Sequence, residues 1–148
     1  MAQIPTDDAL KAALLVHVCR QDRVLYAVAQ QVILPKWRAG ERLVRPTEVQ
    51  AFFDGEMAAH PEIASWTHAT RKRLASNTLS TLRDFGLLQG SNRKQIVEPV
   101  IPDVAASHVW RTLVAEGIAP QEIAHHPDWQ LWLWTPEQAH QAIQELQS

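Results

Sequence analysis

The 148-residue sequence has a single cysteine, Cys19, and no long apolar run. One cysteine excludes an internal disulfide framework and a multi-cysteine zinc site. The longest strongly apolar stretch, residues 12–19, is interrupted by His17 and is far shorter than the roughly 20 residues that span a bilayer. Because no basic segment precedes an apolar core, we expect no secretory signal and place the protein in the cytoplasm, a reducing compartment.

Motifs of catalysis are also missing from the sequence. It contains no glycine-rich phosphate loop, no nucleophile elbow and no paired-carboxylate motif. His125, His126 and Asp128 stand close together, but adjacent histidines point to different sides and no third ligand follows at a metal-like spacing. The sequence therefore predicts no enzyme, no cofactor or metal site, no small-molecule substrate and no membrane partner.

The net charge of −2 gives no whole-chain argument for a nucleic-acid partner. The charge is nevertheless distributed unevenly. Residues 65–94 carry six basic residues against Asp84 alone, a net charge of +5, and residues 95–148 carry Arg111 against seven acids, a net charge of −6. A basic region of this kind favours nucleic acid. The alternative is that the basic and acidic regions pair with each other on folding.

Caps and apolar spacings predict a chain made mostly of helices. We expect helices over 7–19, 22–36, 48–59, 61–65 and 67–85, with Thr47 and Gln50 as a capping box and Gly86 after the long helix. Residues 87–101 predict strand, turn and strand, with Pro99 making the second strand an edge. Beyond them we expect helices from Asp103 and from Pro120, a strand over 129–134 and a last helix after a second capping box at 135–138.

The order of three helices and a two-stranded ribbon is that of a winged helix, whose third helix enters the major groove. We therefore predict a mainly α fold with a winged helix-turn-helix core and a small β-hairpin wing over residues 46–102. A helical bracing segment precedes it over 1–45, and a helical segment with a short strand follows over 103–148, in one compact unit. Since the core nearly coincides with the basic region, double-stranded DNA is the predicted partner.

The long helix and the wing supply the candidate DNA contacts. Arg73 and Asn77 lie on the polar side of the helix and suit base edges, whereas the flanks, the helix N-terminus and the wing suit phosphates. The predicted DNA-binding residues are Thr70, Arg71, Lys72, Arg73, Ser76, Asn77, Ser80, Arg83, Asn92, Arg93 and Lys94. Arg71 points toward the core side and is either a satisfied edge residue or a phosphate contact. The alternatives are a solvated hairpin turn and a protein-interaction module with the same fold.

Tryptophans suggest a second surface near the end of the chain. Strand alternation over 129–134 puts Trp132 and Trp134 on one face, which is a candidate partner-binding surface because tryptophan is enriched at interface hot spots. The alternative is that the rest of the domain and the last helix cover both faces of the strand.

Dispersed residues of this chain resemble the BrxA family of BREX bacteriophage-exclusion systems. They include Phe52, Phe53, His60–Ile63, Trp66, Thr70–Lys72, Leu79, Leu82, Gly86–Leu88 and Leu133–Glu137. The resemblance implies a small, mostly helical, non-enzymatic DNA-binding component of a phage-defence locus, with Trp66, Thr70, Arg71 and Lys72 as the matching signature. Members of that family extend further before the position of Asp7, which leaves open whether part of a first module is missing here.

The sequence therefore predicts non-catalytic binding of duplex DNA in phage defence, mainly through phosphates and with limited sequence preference. Two alternatives stay open. One is a transcriptional regulator of the same fold with a defined operator. The other is an adaptor that contacts other defence proteins through the tryptophan surface. The sequence does not specify a target site, the defence proteins contacted or an oligomeric state.

Overall fold

The computed structural model describes residues 7–147, so the first six residues of the predicted bracing segment, and Ser148, lie outside the description. These residues form a mainly helical fold with one small antiparallel sheet. The elements are α1 (Asp7–Gln21), α2 (Arg23–Val28), a π-helical turn (Ala29–Ile33), α3 (Leu34–Arg38), β1 (Leu43–Val44), α4 (Pro46–Gly55), α5 (Pro61–Ser65), α6 (His68–Asp84), β2 (Leu88–Gln89), β3 (Lys94–Ile96), α7 (Asp103–Ala115), α8 (Pro120–Ile123), a 3-10 helix (Pro127–Trp132) and α9 (Pro136–Gln147).

The two N-terminal helices are confirmed, and Asp22 separates them. Its carboxylate accepts hydrogen bonds from the backbone N–H groups of Val24 and Leu25, each at 3.1 Å, which caps α2. The helical path then continues through the π-helical turn into α3. Within residues 7–147, no helix is both long enough and apolar enough to cross a membrane.

The start and the end of α4 differ from the prediction. The helix begins at Pro46 with Arg45 as its N-cap, and the Glu48 carboxylate accepts from the Arg45 backbone N–H at 2.9 Å. The proposed capping box of Thr47 and Gln50 was therefore wrong, because Pro46 has the fixed φ that suits a first helical position and starts the helix earlier. The helix also ends at Gly55, four residues before the predicted end.

Both ends of α6 are confirmed. The Thr67 hydroxyl accepts from the Thr70 backbone N–H at 3.1 Å, which caps the N-terminus. At the C-terminus, Gly86 has a φ of +87°, and the Leu87 N–H donates to the Leu82 carbonyl at 3.0 Å. This is the Schellman arrangement, which satisfies the last carbonyl groups of the helix and turns the chain into β2.

The sheet has three strands in the order β1-β3-β2, all antiparallel. The hairpin of β2 and β3 was predicted, whereas β1 was not. Because β1 pairs with the free side of β3, the second strand of the hairpin is central, and its prediction as an edge strand was wrong. Pro99 does not interfere, since β3 already ends at Ile96.

The tryptophan-rich segment is a 3-10 helix and not a strand, so the predicted alternation of two faces was wrong. A short apolar run is compatible with either structure, and here Pro127 starts the helix while Leu133 ends it with a φ of +63°. Trp132 is 1% exposed and donates from Nε1 to the Ala12 carbonyl of α1 at 3.0 Å. Trp132 therefore offers no surface to a partner. Trp134 is half-buried and stacks on Trp129 at 5.6 Å.

Candidate nucleic-acid interface

One side of α6 is buried against the core and the other side is open to solvent. Ala75, Leu79 and Leu82 have no exposed surface, and α4 packs along this side. Leu74 and Thr78 lie at the edge of the buried side and are half-buried. The polar side predicted for this helix, with Arg73 and Asn77, is exposed and is therefore confirmed.

The open side of α6 carries unpaired positive charge. Lys72, Arg73, Ser76 and Asn77 are exposed, whereas Thr70, Ser80 and Arg83 are half-buried. Among residues 7–147, no side chain forms a hydrogen bond or ion pair with the ammonium of Lys72 or the guanidinium of Arg73. Two neighbouring cations without partners can bind an anion without first breaking an internal contact.

Arg71 is half-buried, and its guanidinium is bonded to other groups of the protein. Its Nε lies 2.9 Å from Asp54 Oδ1 at the end of α4, and its Nη1 donates to the Trp66 carbonyl at 2.6 Å. The Trp66 ring in turn packs edge-on against Phe53 at 5.5 Å. Arg71 therefore fixes the first turn of α6. Of the two alternatives for Arg71, these bonds favour a residue at the edge of the core whose guanidinium is hydrogen-bonded within the protein.

The remaining cation of α6 has an acidic neighbour. Arg83 Nη2 lies 3.5 Å from Asp84 Oδ1, and the Asp84 side chain is largely exposed. An exposed pair at this distance is weak, so Arg83 keeps some capacity for phosphate. Its position at the C-terminal end of the helix puts it far from the Lys72 and Arg73 side chains.

The hairpin turn contains one exposed cation, not two. Lys94 is 9% exposed, and its ammonium donates to the Ser91 carbonyl at 2.8 Å, so it holds the turn together. Its prediction as a tip residue available to DNA was wrong, because strand pairing turns the side chain inward. Asn92 and Arg93 are exposed as predicted. The turn is tight at Gly90, whose φ is +109° and where a Cβ would lie 2.2 Å from the Arg93 carbonyl oxygen.

A group of arginines around β1 did not enter the predicted site. Arg38, Arg42 and Arg45 are exposed, and the Arg42 guanidinium lies 4.0 Å above the Trp37 ring. The four basic residues between Pro35 and Pro46 were the signal in the sequence for this surface. Because β1 was not predicted, no feature of the sequence placed these arginines beside the β2–β3 hairpin.

Lys36 pairs with both acidic residues of this region, Glu41 and Glu48. Its ammonium pairs with Glu41 at 3.1 Å and also with Glu48. The hydrogen bond that Lys36 donates to Glu48 raises the pKa of Lys36 above its ordinary value. Although partial burial raises the pKa of Glu48, hydrogen bonds from Lys36 and from the Arg45 N–H lower it overall. Both carboxylates are therefore paired with Lys36, and among the described residues no carboxylate forms an ion pair or hydrogen bond with the guanidinium of Arg38, Arg42 or Arg45.

A separate polar cluster joins the C-terminal segment to α1 and α2. Asp128, which is 2% exposed, accepts from the Tyr26 hydroxyl at 2.7 Å and pairs with Arg20 Nε at 2.9 Å. Burial, followed by the hydrogen bond to Asp128, raises the pKa of Tyr26. The His126 ring accepts from the Asp128 N–H at 3.1 Å. These contacts occupy the Asp128 carboxylate and one ring nitrogen of His126, and residues 7–147 hold no cluster of three or more His, Cys, Asp or Glu able to bind a metal.

Comparison with known proteins identifies one family. The family model BrxA matches residues 1–111, a range that includes α6 and the hairpin. No curated protein and no solved structure matches the chain.

Proposed function

Since the chain belongs to the BrxA family, we propose that it is a DNA-binding component of a BREX phage-defence system that binds duplex DNA through α6 and the wing. Family membership indicates the role in phage defence. The exposed charge of α6 and of the hairpin turn supports the part of the proposal that concerns DNA.

The order of the elements supports this role. The helices α4, α5 and α6 are followed by the β2–β3 hairpin, which is the order of a winged helix. In such domains the third helix lies in the major groove and the wing lies beside the DNA backbone. Here α6 has 17 residues and presents its polar side to solvent, so it is long enough to cross the groove.

The observation that carries the proposal is the pair of unpartnered cations on the first turns of α6. Lys72 and Arg73 are exposed, while Arg71 between α4 and α6 fixes the helix that bears them. Because the backbone of this helix is already ordered, binding has to order only the two side chains. Exposed cations without internal partners are what a phosphate backbone attracts.

The same side of the helix allows some reading of bases. Arg73 can donate two hydrogen bonds to guanine, and Asn77 can pair with adenine in the same bidentate way. Lys72 and Arg93 are placed for phosphates, which orient a protein on DNA but carry no sequence information. We therefore propose binding with modest sequence preference.

The test is binding of the full chain to random-sequence duplex DNA across a salt series. The logarithm of the association constant should fall linearly with the logarithm of salt concentration, with a slope of about −0.9 for each phosphate contacted. A slope that corresponds to several phosphates supports the proposal. Absence of binding at about 50 mM salt would contradict it, because electrostatic binding is strongest there.

A further inference from the structure

We infer that Arg45 and Arg93 form a binding site for one phosphate of the DNA backbone, which extends the contact surface from the wing to β1. This inference rests on the proposed function, since the phosphate it assigns belongs to the same duplex. Arg45 lies outside α6 and the hairpin, in the connection that leads into α4.

The strand register brings the two arginines together. In the pairing of β1 with β3, Leu43 lies opposite Gln95 and Val44 lies opposite Lys94. The paired residues end there, and the same antiparallel register continued by one residue into the bend at Arg93 puts Arg45 opposite Arg93. Arg45 keeps the extended backbone needed for that step, with φ of −109° and ψ of 146°. Directly opposed residues of antiparallel strands have Cβ atoms about 4.5–5.5 Å apart.

Neither guanidinium forms a direct ion pair or hydrogen bond with another of the described residues. Both arginines are exposed. The acid nearest to Arg45 in sequence is Glu48, whose carboxylate attracts the Arg45 guanidinium at longer range but is bonded to the Arg45 backbone N–H and to Lys36. Glu41 is likewise held by Lys36.

Two opposed like charges destabilise a strand pair unless an anion lies between them. A phosphate meets this requirement, because a guanidinium donates parallel hydrogen bonds to two of its oxygens. One phosphate bound by two arginines removes their repulsion and gains charge-assisted hydrogen bonds from both. The free protein therefore carries a local repulsion that binding relieves.

The backbone of this site is held in place before any ligand arrives. The Ile96 N–H donates to the Arg42 carbonyl at 2.7 Å, which extends the pairing of β1 with β3 at the end opposite to Arg45 and Arg93. The Lys94 ammonium closes the turn on the Ser91 carbonyl, and Gly90 lets the chain approach the Arg93 carbonyl closely. A site that is ordered in advance loses less entropy on binding.

The first experiment tests the anion site without DNA. Inorganic phosphate should raise the Tm of the wild-type chain, and the rise should be smaller in Arg45→Gln and in Arg93→Gln. Arg111→Gln, which removes one exposed charge from α7, is the matched control and should respond like the wild type. Equal responses from Arg45→Gln and Arg111→Gln overturn the anion site.

The second experiment tests whether the ligand is DNA phosphate. In the salt series, Arg45→Gln and Arg93→Gln should each reduce the magnitude of the slope by up to about 0.9. Because both residues bind the same phosphate, the double variant should reduce it by less than the sum of the two single reductions. A slope for Arg45→Gln equal to that of Arg111→Gln overturns the assignment to DNA, even if inorganic phosphate binds. If the wild type itself fails to bind duplex, the proposed function fails, and the first experiment still decides whether the arginine pair binds phosphate.

Discussion

Arg71 Nε lies 2.9 Å from Asp54 Oδ1, so the end of α4 is tied to the first turn of α6. The same guanidinium donates to the Trp66 carbonyl, which precedes the helix cap at Thr67. One side chain thus links three elements of the proposed DNA-binding core. This contact separates the role of Arg71 from that of the exposed residues that follow it, Lys72 and Arg73.

We expect Arg71→Met to lower the free energy of unfolding by about 1 to 2 kcal/mol, because it removes two charge-assisted hydrogen bonds, one of them partly exposed. Asp54→Asn should cost less, since the bond from Arg71 to Trp66 remains. Urea denaturation of both variants measures the difference. Equal stability of Arg71→Met and the wild type would contradict the role assigned to Arg71.

The hairpin turn depends on Gly90. We expect Gly90→Ala to destabilise the protein by more than about 1 kcal/mol, because the residue has positive φ and its Cβ would collide with the Arg93 carbonyl. Gly55→Ala is the matched control. Gly55 lies at the end of α4 with an ordinary φ and no atom within 4 Å of an added Cβ, so alanine should stabilise there by about 0.4–1 kcal/mol. Thermal or urea unfolding in which Gly90→Ala is as stable as the wild type would rule out the tight turn.

The C-terminal segment lies beyond the family match at residue 111 and is nevertheless part of the same core. Trp132→Phe should cost about 1 to 3 kcal/mol, because it removes the hydrogen bond to the Ala12 carbonyl and part of a fully buried ring. Trp134→Phe should cost less, since this residue is half-buried. Denaturant titration compares them, and a greater loss from Trp134→Phe would contradict the packing described for the segment.

Cys19 should be chemically inert in the folded protein. Burial, together with the charges of Asp22 and Asp128, raises the pKa of its thiol to about 12, and the residue is 1% exposed. Because the thiolate is the reactive form, a disulfide reagent at pH 8 should leave the native protein unmodified. The same reagent should titrate one thiol per chain in denaturant. Rapid modification of the native protein would show that α1 opens at Cys19.

Local signals in the sequence predicted the parts of the fold that depend on a few adjacent residues. Thr67 caps α6, and Gly86 ends it, because caps are decided by side chains within one helical turn. The same holds for the second capping box, in which the Gln138 side chain accepts from the Thr135 N–H at 2.8 Å. The polar side of α6 followed from helical periodicity alone.

Contacts distant in sequence could not be predicted in this way. The strand predicted over residues 129–134 failed because a short apolar run fits a strand or a buried helix equally, and burial against α1 decided the outcome. Lys94 was predicted to be exposed at the tip of the turn. Its side chain points inward because of the strand pairing, which the adjacent residues do not reveal. Arg45 was not among the predicted contact residues because β1, the strand that precedes it, was not predicted.

The central claim is that the exposed cations at the start of α6 bind duplex DNA. Its most direct test compares the salt dependence of binding for the double variant Lys72→Ala with Arg73→Ala and for a control double variant, Lys11→Ala with Arg111→Ala. The control removes the same charge from exposed positions on α1 and α7. We expect the α6 variant to fold normally and to bind duplex DNA more weakly. The magnitude of its salt-dependence slope should fall by about 0.9 for each phosphate contact removed, while the control should keep the wild-type slope. Identical slopes and affinities for the two double variants would contradict the account.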